Sequence, residues 1–112
     1  MPIEHNIMPN DLIVLYIERT SEPVQVAYVV PAGKQFVLTA WTLTNEVGQP
    51  VTARLRRNKI RVAFNKIWEP VRAHNHLIFP TGITFGPEEE IEIEGSVNLG
   101  QHYLYGYEVD EE

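Results

Sequence analysis

A chain of 112 residues holds one domain's worth of core, and 44% apolar against 21% charged residues is an ordinary globular balance. The absence of cysteine excludes disulfides, zinc–thiolate centres and cysteine nucleophiles. A net charge of −6 argues against a general nucleic-acid binder, no apolar run is long enough to span a membrane as a helix, and Met1–Asn10 lacks the basic-then-apolar pattern of a secretion signal.

Period-two alternation runs through the sequence and helical periodicity is nearly absent, which predicts strands. Leu12–Arg19 is rich in β-branched and aromatic residues and reads as the first strand. Pro23 interrupts. Val24–Val30 reads as the second, with Val24, Val26, Tyr28 and Val30 on one face. Pro31-Ala32-Gly33-Lys34 has the composition of a tight turn, Pro31 presetting φ at the first central position and Gly33 accepting a positive φ. In Gln35–Thr44, strict alternation puts Phe36, Leu38, Ala40, Thr42 and Thr44 on one face and Val37, Thr39, Trp41 and Leu43 on the other.

Asn45–Pro50 is a loop by composition. Val51–Arg57 turns Val51, Ala53 and Leu55 inward and Thr52, Arg54 and Arg56 outward. Lys59–Trp68 alternates Ile60, Val62 and Phe64 against Lys59, Arg61 and Ala63, with Asn58 in the intervening turn. Arg72–Phe79 reads as a strand stopped by Pro80-Thr81-Gly82, followed by a short stretch, Ile83–Phe85. Glu89–Glu94 sets Ile91 and Ile93 on one face. Gln101–Val109 sets Tyr103, Tyr105, Tyr107 and Val109 on one face and Gly106 on the other.

About eight short strands with Gly/Pro turns predict an all-β chain, a two-sheet antiparallel β-sandwich of jelly-roll type, with an open barrel as the second choice. The expectation is one domain over residues 1–112, with 1–10 as an extended arm and 110–112 as an acidic tail.

Charge is segregated along the chain. Arg54, Arg56, Arg57, Lys59, Arg61, Lys66 and Arg72 cluster with Glu69 alone opposing them. Glu88, Glu89, Glu90, Glu92 and Glu94 follow, then Glu108, Asp110, Glu111 and Glu112. The arginines read first as a solvated face and next as a surface meeting the Glu-rich segment of another copy; the many carboxylates read as a solvated edge. Nucleic acid ranks well behind, because stacking needs interleaved aromatics and Phe64 is expected in the core. The stripe of Tyr103, Tyr105 and Tyr107 suits an interface, since tyrosine couples large area to a polar tip. The candidate interface residues are therefore Tyr103, Tyr105, Tyr107, Arg54, Arg56, Arg61, Glu90 and Glu92.

Little catalytic chemistry is visible. No Gly-x-Ser-x-Gly elbow or phosphate-binding glycine loop occurs, and no enzyme activity and no cofactor are expected. His74 and His76 share a strand face about 7 Å apart and are the candidate metal ligands, with His5 or His102 available to complete a site. The His-x-His pair resembles the cupin motif, but Pro80 falls where cupin spacing asks for a ligand carboxylate and Phe36 where it asks for a histidine.

Val30-Pro31-Ala32-Gly33-Lys34, the strand ending Thr44-Asn45, Gly48, Val51-Thr52, Gly86–Ile91 and the ending Tyr105-Gly106-Tyr107-Glu108 together resemble small β-sandwich virion proteins of bacteriophages and prophages. The likeness covers most of residues 28–109. The ending Tyr103–Val109 is also similar to the last strand of trimeric tumour-necrosis-factor-like jelly rolls. These resemblances imply a virion accessory or capsid-decoration role, assembly in a host cytoplasm, docking on a larger protein assembly, and a homotrimer with Gly106 near the axis. Two rival readings stand beside this: a carbohydrate-binding module using Trp41, Trp68 or Tyr103, and a cupin-like metalloenzyme built on His74 and His76.

Two histidines without an evident third and fourth ligand predict weak or no binding of zinc, nickel or iron. Calorimetric titration checks this; stoichiometric micromolar binding that disappears in His74→Ala would reverse it.

Overall fold

The structure, a computed structural model, describes residues 12–45, 49–67 and 73–110. The expected N-terminal arm, His5, Gly48, Trp68, Arg72 and the last two residues of the acidic tail lie outside them. The described residues form eight strands and no helix: β1 (Ile13–Glu18), β2 (Val24–Val29), β3 (Lys34–Asn45), β4 (Val51–Arg57), β5 (Ile60–Ile67), β6 (Ala73–Phe85), β7 (Glu90–Gly95) and β8 (Gln101–Asp110).

They make two antiparallel four-stranded sheets, ordered β1-β8-β3-β6 and β2-β7-β4-β5. Only β4 and β5 are joined as a hairpin; every other step along the chain crosses from one sheet to the other. That order is the jelly roll. The core lies between the sheets. Phe36, Leu38, Trp41, Phe85 and Leu104 come from the first, and Val30, Ala53, Leu55, Ile91 and Ile93 from the second or its flanks. Each fully buried large side chain contributes about 1.5–3 kcal/mol.

Strict alternation fails in three strands, β2, β3 and β5, because each carries a bulge, an extra residue that flips the faces beyond it. In β3 the register shifts between Leu38 and Ala40 against both neighbours, leaving Thr39 as the extra residue. The Thr39 hydroxyl donates to Tyr105 O at 3.0 Å. Phe36 and Leu38 therefore face the core before the bulge, and Trp41 and Leu43 after it. The same device at Ala27 turns Val26 outward while Tyr28 and Val30 pack inward. In β5 the shift falls at Val62, so Ala63 and Asn65 turn inward and Phe64, expected in the core, stands outside.

In β6, Phe79, Pro80, Thr81 and Gly82 together oppose the single residue Thr39. Pro80-Thr81-Gly82 thus does not end the strand. β6 is a sheet edge, where Pro removes no ladder donor, and Gly82 takes a φ of +75°. The turns also differ in detail. Lys34 N donates to Pro31 O at 3.2 Å, which makes Pro31 the first corner and Ala32 the first central residue, with Gly33 at φ +79°. Asn58 and Lys59 both have positive φ, as a two-residue type I′ hairpin demands, so Lys59 belongs to the turn and not to β5.

Two buried polar side chains organise one end of the sandwich. Arg19, 5% exposed, follows β1. It donates to Ser96 O at 3.0 Å, Gln25 Oε1 at 2.7 Å, Ile93 O at 3.2 Å, Glu22 O at 3.1 Å, Pro23 O at 3.0 Å and Gly95 O at 3.2 Å. All six acceptors are neutral oxygens, and the guanidinium ties the end of β1 to the start of β2 and the end of β7. Burial pushes its pKa below the usual arginine value. His102, fully buried, accepts a hydrogen bond on Nδ1 from Trp41 Nε1 at 2.9 Å and stacks on that indole. Its proton accordingly resides on Nε2, which is buried without a partner.

Arg19→Met should leave several carbonyls unsatisfied and lower stability by about 3 kcal/mol in urea titrations. Arg19→Lys, which keeps the charge but has one nitrogen in place of three, should recover less than half of that. Desolvation, reinforced by the Arg19 charge, lowers the His102 pKa to about 3. The unfolded chain binds a proton near pH 6.5 and the folded chain does not, so His102 stabilises fully above that pH and its contribution is lost as pH falls toward 3. Unfolding curves between pH 5 and 6.5 should show stability rising with pH by up to about 1.4 kcal/mol per unit, a slope that His102→Gln flattens.

Candidate interaction face

Residues paired across antiparallel strands share a face, so the registers fix what each sheet shows to solvent. The outside of β1-β8-β3-β6 carries Val14, Tyr105, Ala40 and Ile78 in one row and Tyr16, Tyr103, Thr42 and His76 in the next. A polar row of Glu18, Gln101, Thr44 and His74 lies beyond, and Tyr107, Val37 and Thr84 close the other end. Val14 is 50% exposed, Tyr16 53% and Ile78 67%, and the register places them in two adjacent rows of one patch. The Tyr16 and Tyr103 rings lie 5.0 Å apart, and His76 meets Tyr105 edge-on at 6.1 Å. Relief is uneven: tyrosines form a ridge along β8, and Val37, Ala40, Thr42 and Thr44 form a lower row along β3.

The opposite outer face is mixed, with Val26, Val29 and Phe64 exposed among charged residues. β7 lies beside β4, which puts the acidic segment against the basic one within one chain. Arg56 pairs with Glu92 at 3.0 Å and with Glu94 at 3.6 Å, and Arg61 with Glu94 at 3.1 Å. Glu92 is 5% exposed and also accepts from Lys59 N at 3.0 Å. The hydrogen bond from Arg61 holds the Glu94 carboxyl below the usual carboxylate range. Arg54 stacks over Phe64 at 5.0 Å. Glu90 begins β7, its N–H donating to Asn58 Oδ1 at 2.8 Å. β7 is interior to its sheet, so Glu89–Glu94 is not the solvated edge the sequence suggests.

The interface residues expected from sequence thus divide between two sides of the molecule. Tyr103, Tyr105 and Tyr107 share one face; Arg54, Arg56, Arg61 and Glu92 share the other. The ion pairs expected between copies form inside one chain. Gly106 faces the core, where a Cβ would meet the Phe36 ring at 2.6 Å and the Val37 carbonyl, so its role is internal packing and not approach to a symmetry axis. Trp41 is fully buried and offers no sugar platform. His74 and His76 do share a face, with Thr42 Oγ1 against His76 Nδ1, but His102 points into the core from the other side of the sheet and cannot join them. Sequence reading missed Val14, Tyr16, Ala40 and Ile78 as parts of the face. The Val14–Tyr16 alternation was available; the pairing of β1 with β8 was not.

No family model matches the chain, and no curated protein matches it by sequence. Among solved structures, the nucleoplasmin-like N-terminal domain of Drosophila FKBP39 superposes with a TM-score of 0.54 at 10% identity, over 94% of this chain and 97% of that one. The virus-like particle protein of the extra small virus of the freshwater prawn Macrobrachium rosenbergii gives 0.49 at 12% identity, over 100% and 88%. The N-terminal cellulose-binding domain of a Cellulomonas fimi β-1,4-glucanase gives 0.26 at 13%, over 91% and 80%. The last two superpose too loosely to bear on function. The first shares the fold: the chain is an all-β sandwich.

Proposed function

We propose that this protein is a non-enzymatic assembly component, a sandwich that associates with copies of itself through the outer face of β1-β8-β3-β6 and docks on a larger structure such as a phage particle. The observation that carries the reading is the contrast between the two outer faces. One sets Val26, Val29 and Phe64 apart among arginine–glutamate pairs closed within the chain. The other presents tyrosines, valine and isoleucine in adjacent rows, with Glu18 and two histidines toward its margin. A sheet face open to water is ordinarily polar, and a contiguous apolar patch rimmed by polar residues marks a contact surface. The virion assignment draws on the resemblance of the turn and closing-strand motifs to phage sandwich proteins. A threefold assembly loses two of its supports, since Gly106 and the charge segments are engaged inside one chain.

Light scattering at micromolar concentration should report a mass above that of one 12.9 kDa chain, little changed by salt because the face is nearly uncharged. Tyr105→Ala should weaken association at least tenfold while leaving the urea midpoint, read at a concentration where both chains are monomeric, close to that of the parent. A monomer at high micromolar concentration overturns the reading, and oligosaccharide binding that depends on Tyr16 and Tyr103 would then make the face a sugar platform.

A further inference from the structure

We infer that two copies of the chain pack face to face through the β1-β8-β3-β6 sheets, about a two-fold axis parallel to the strands and lying between β8 and β3. The inference rests on the self-association proposed above and specifies its partner and geometry. Three features point to a second copy. The first is relief. Tyr103 and Tyr105 stand directly beside Thr42 and Ala40 in the register. Rotation about this axis lays the tyrosine ridge of one copy over the small-residue row of the other, twice. Packed sheets sit about 10 Å apart, a gap that one tyrosine and one small residue fill together and two tyrosines overfill.

The second feature is polar complementarity, a carboxylate that accepts against an imidazole N–H that donates. Glu18 and His74 occupy the same row at opposite edges of the sheet, Glu18 on β1 and His74 on β6. The same rotation brings β1 of one copy over β6 of the other, so each Glu18 meets the His74 of the second copy. The third is the failure of the alternative. An axis perpendicular to the strands would set β8 on β8 and β1 on β1, stacking tyrosine on tyrosine and leaving Glu18 and His74 apart. The contact is isologous, and one rotation satisfies both the ridge and the edge residues. Strands of the two sheets would run nearly aligned, the usual geometry of packed sheets.

The chain has no cysteine, so introduced ones report the geometry directly. Within one chain positions 18 and 74 are separated by three strand spacings, about 14 Å, too far for a disulfide. The double variant Glu18→Cys/His74→Cys, oxidised at low micromolar concentration, should yield covalent dimer at least tenfold above either single variant. An equimolar mixture of the two single variants should cross-link as well. Ala40→Arg, which fills the lower row, should weaken association of the otherwise unmodified chain a hundredfold or more, with an unchanged urea midpoint at concentrations where both chains are monomeric. A parent chain that scatters as a dimer or larger while the double variant fails to cross-link overturns this geometry and leaves self-association standing. Glu18→Cys cross-linking alone as well as the double variant does so too. A monomeric parent chain overturns both.

Discussion

The bulge at Thr39 is the constraint on which the rest of the molecule depends. β3 is hydrogen-bonded on both sides, to β8 and β6, and it spans the full length of its sheet. Without the extra residue, the faces of Phe36 and Leu38 would continue through Ala40 and Thr42, and Trp41 and Leu43 would stand in water. With it, Phe36, Leu38 and Trp41 reach the main core and Leu43 a second cluster with Val51, while Ala40 and Thr42 move outside. The Trp41–His102 contact and the small-residue row beside the tyrosines both follow from that one insertion. The partner strand answers in kind: β6 spreads four residues opposite Thr39, which is where its Pro80 and Gly82 are placed.

The two outer faces show how charge and apolar surface are sorted by topology. Placing β7 between β2 and β4 brings the acidic run against the basic run, and local neutralisation inside one chain replaces the long-range polarity visible in the sequence. Largely buried pairs such as Arg56–Glu92 gain more from proximity than exposed ones because water screens them less. The remaining outer surface, over β1-β8-β3-β6, is left without such a lattice. A face with few charges gains more by leaving water than a face whose charges already satisfy one another, and the proposed assembly role draws on that division.

Arg19 and His102 illustrate a different economy of polar groups. Both are buried at the same end, and neither meets a carboxylate among its hydrogen-bond partners. Arg19 is tolerated because carbonyls of two chain segments, 22–25 and 93–96, converge on a planar fork of five donors. His102 is tolerated because it stays neutral, and the nearby guanidinium reinforces that state. The end of the sandwich is thus held by hydrogen bonds whose integrity depends on pH through one imidazole.

By itself, the sequence determined the all-β class, the positions of the strands to within a few residues except that of β6, which runs on through Pro80-Thr81-Gly82, the turns at Gly33 and Asn58, and the tyrosine stripe of β8. Those features are local: alternation, turn chemistry and composition act over a few residues and survive in any tertiary setting. Tertiary structure alone decided which residues face the core beyond Ala27, Thr39 and Val62, because a bulge is set by the register against a neighbour and leaves no mark in the strand's own pattern. It also decided that Phe64 stands outside, that Trp41 is buried, and that the charge runs pair at home. In a jelly roll nearly every strand pairs with one distant in the chain, so those partners lie beyond the reach of local pattern.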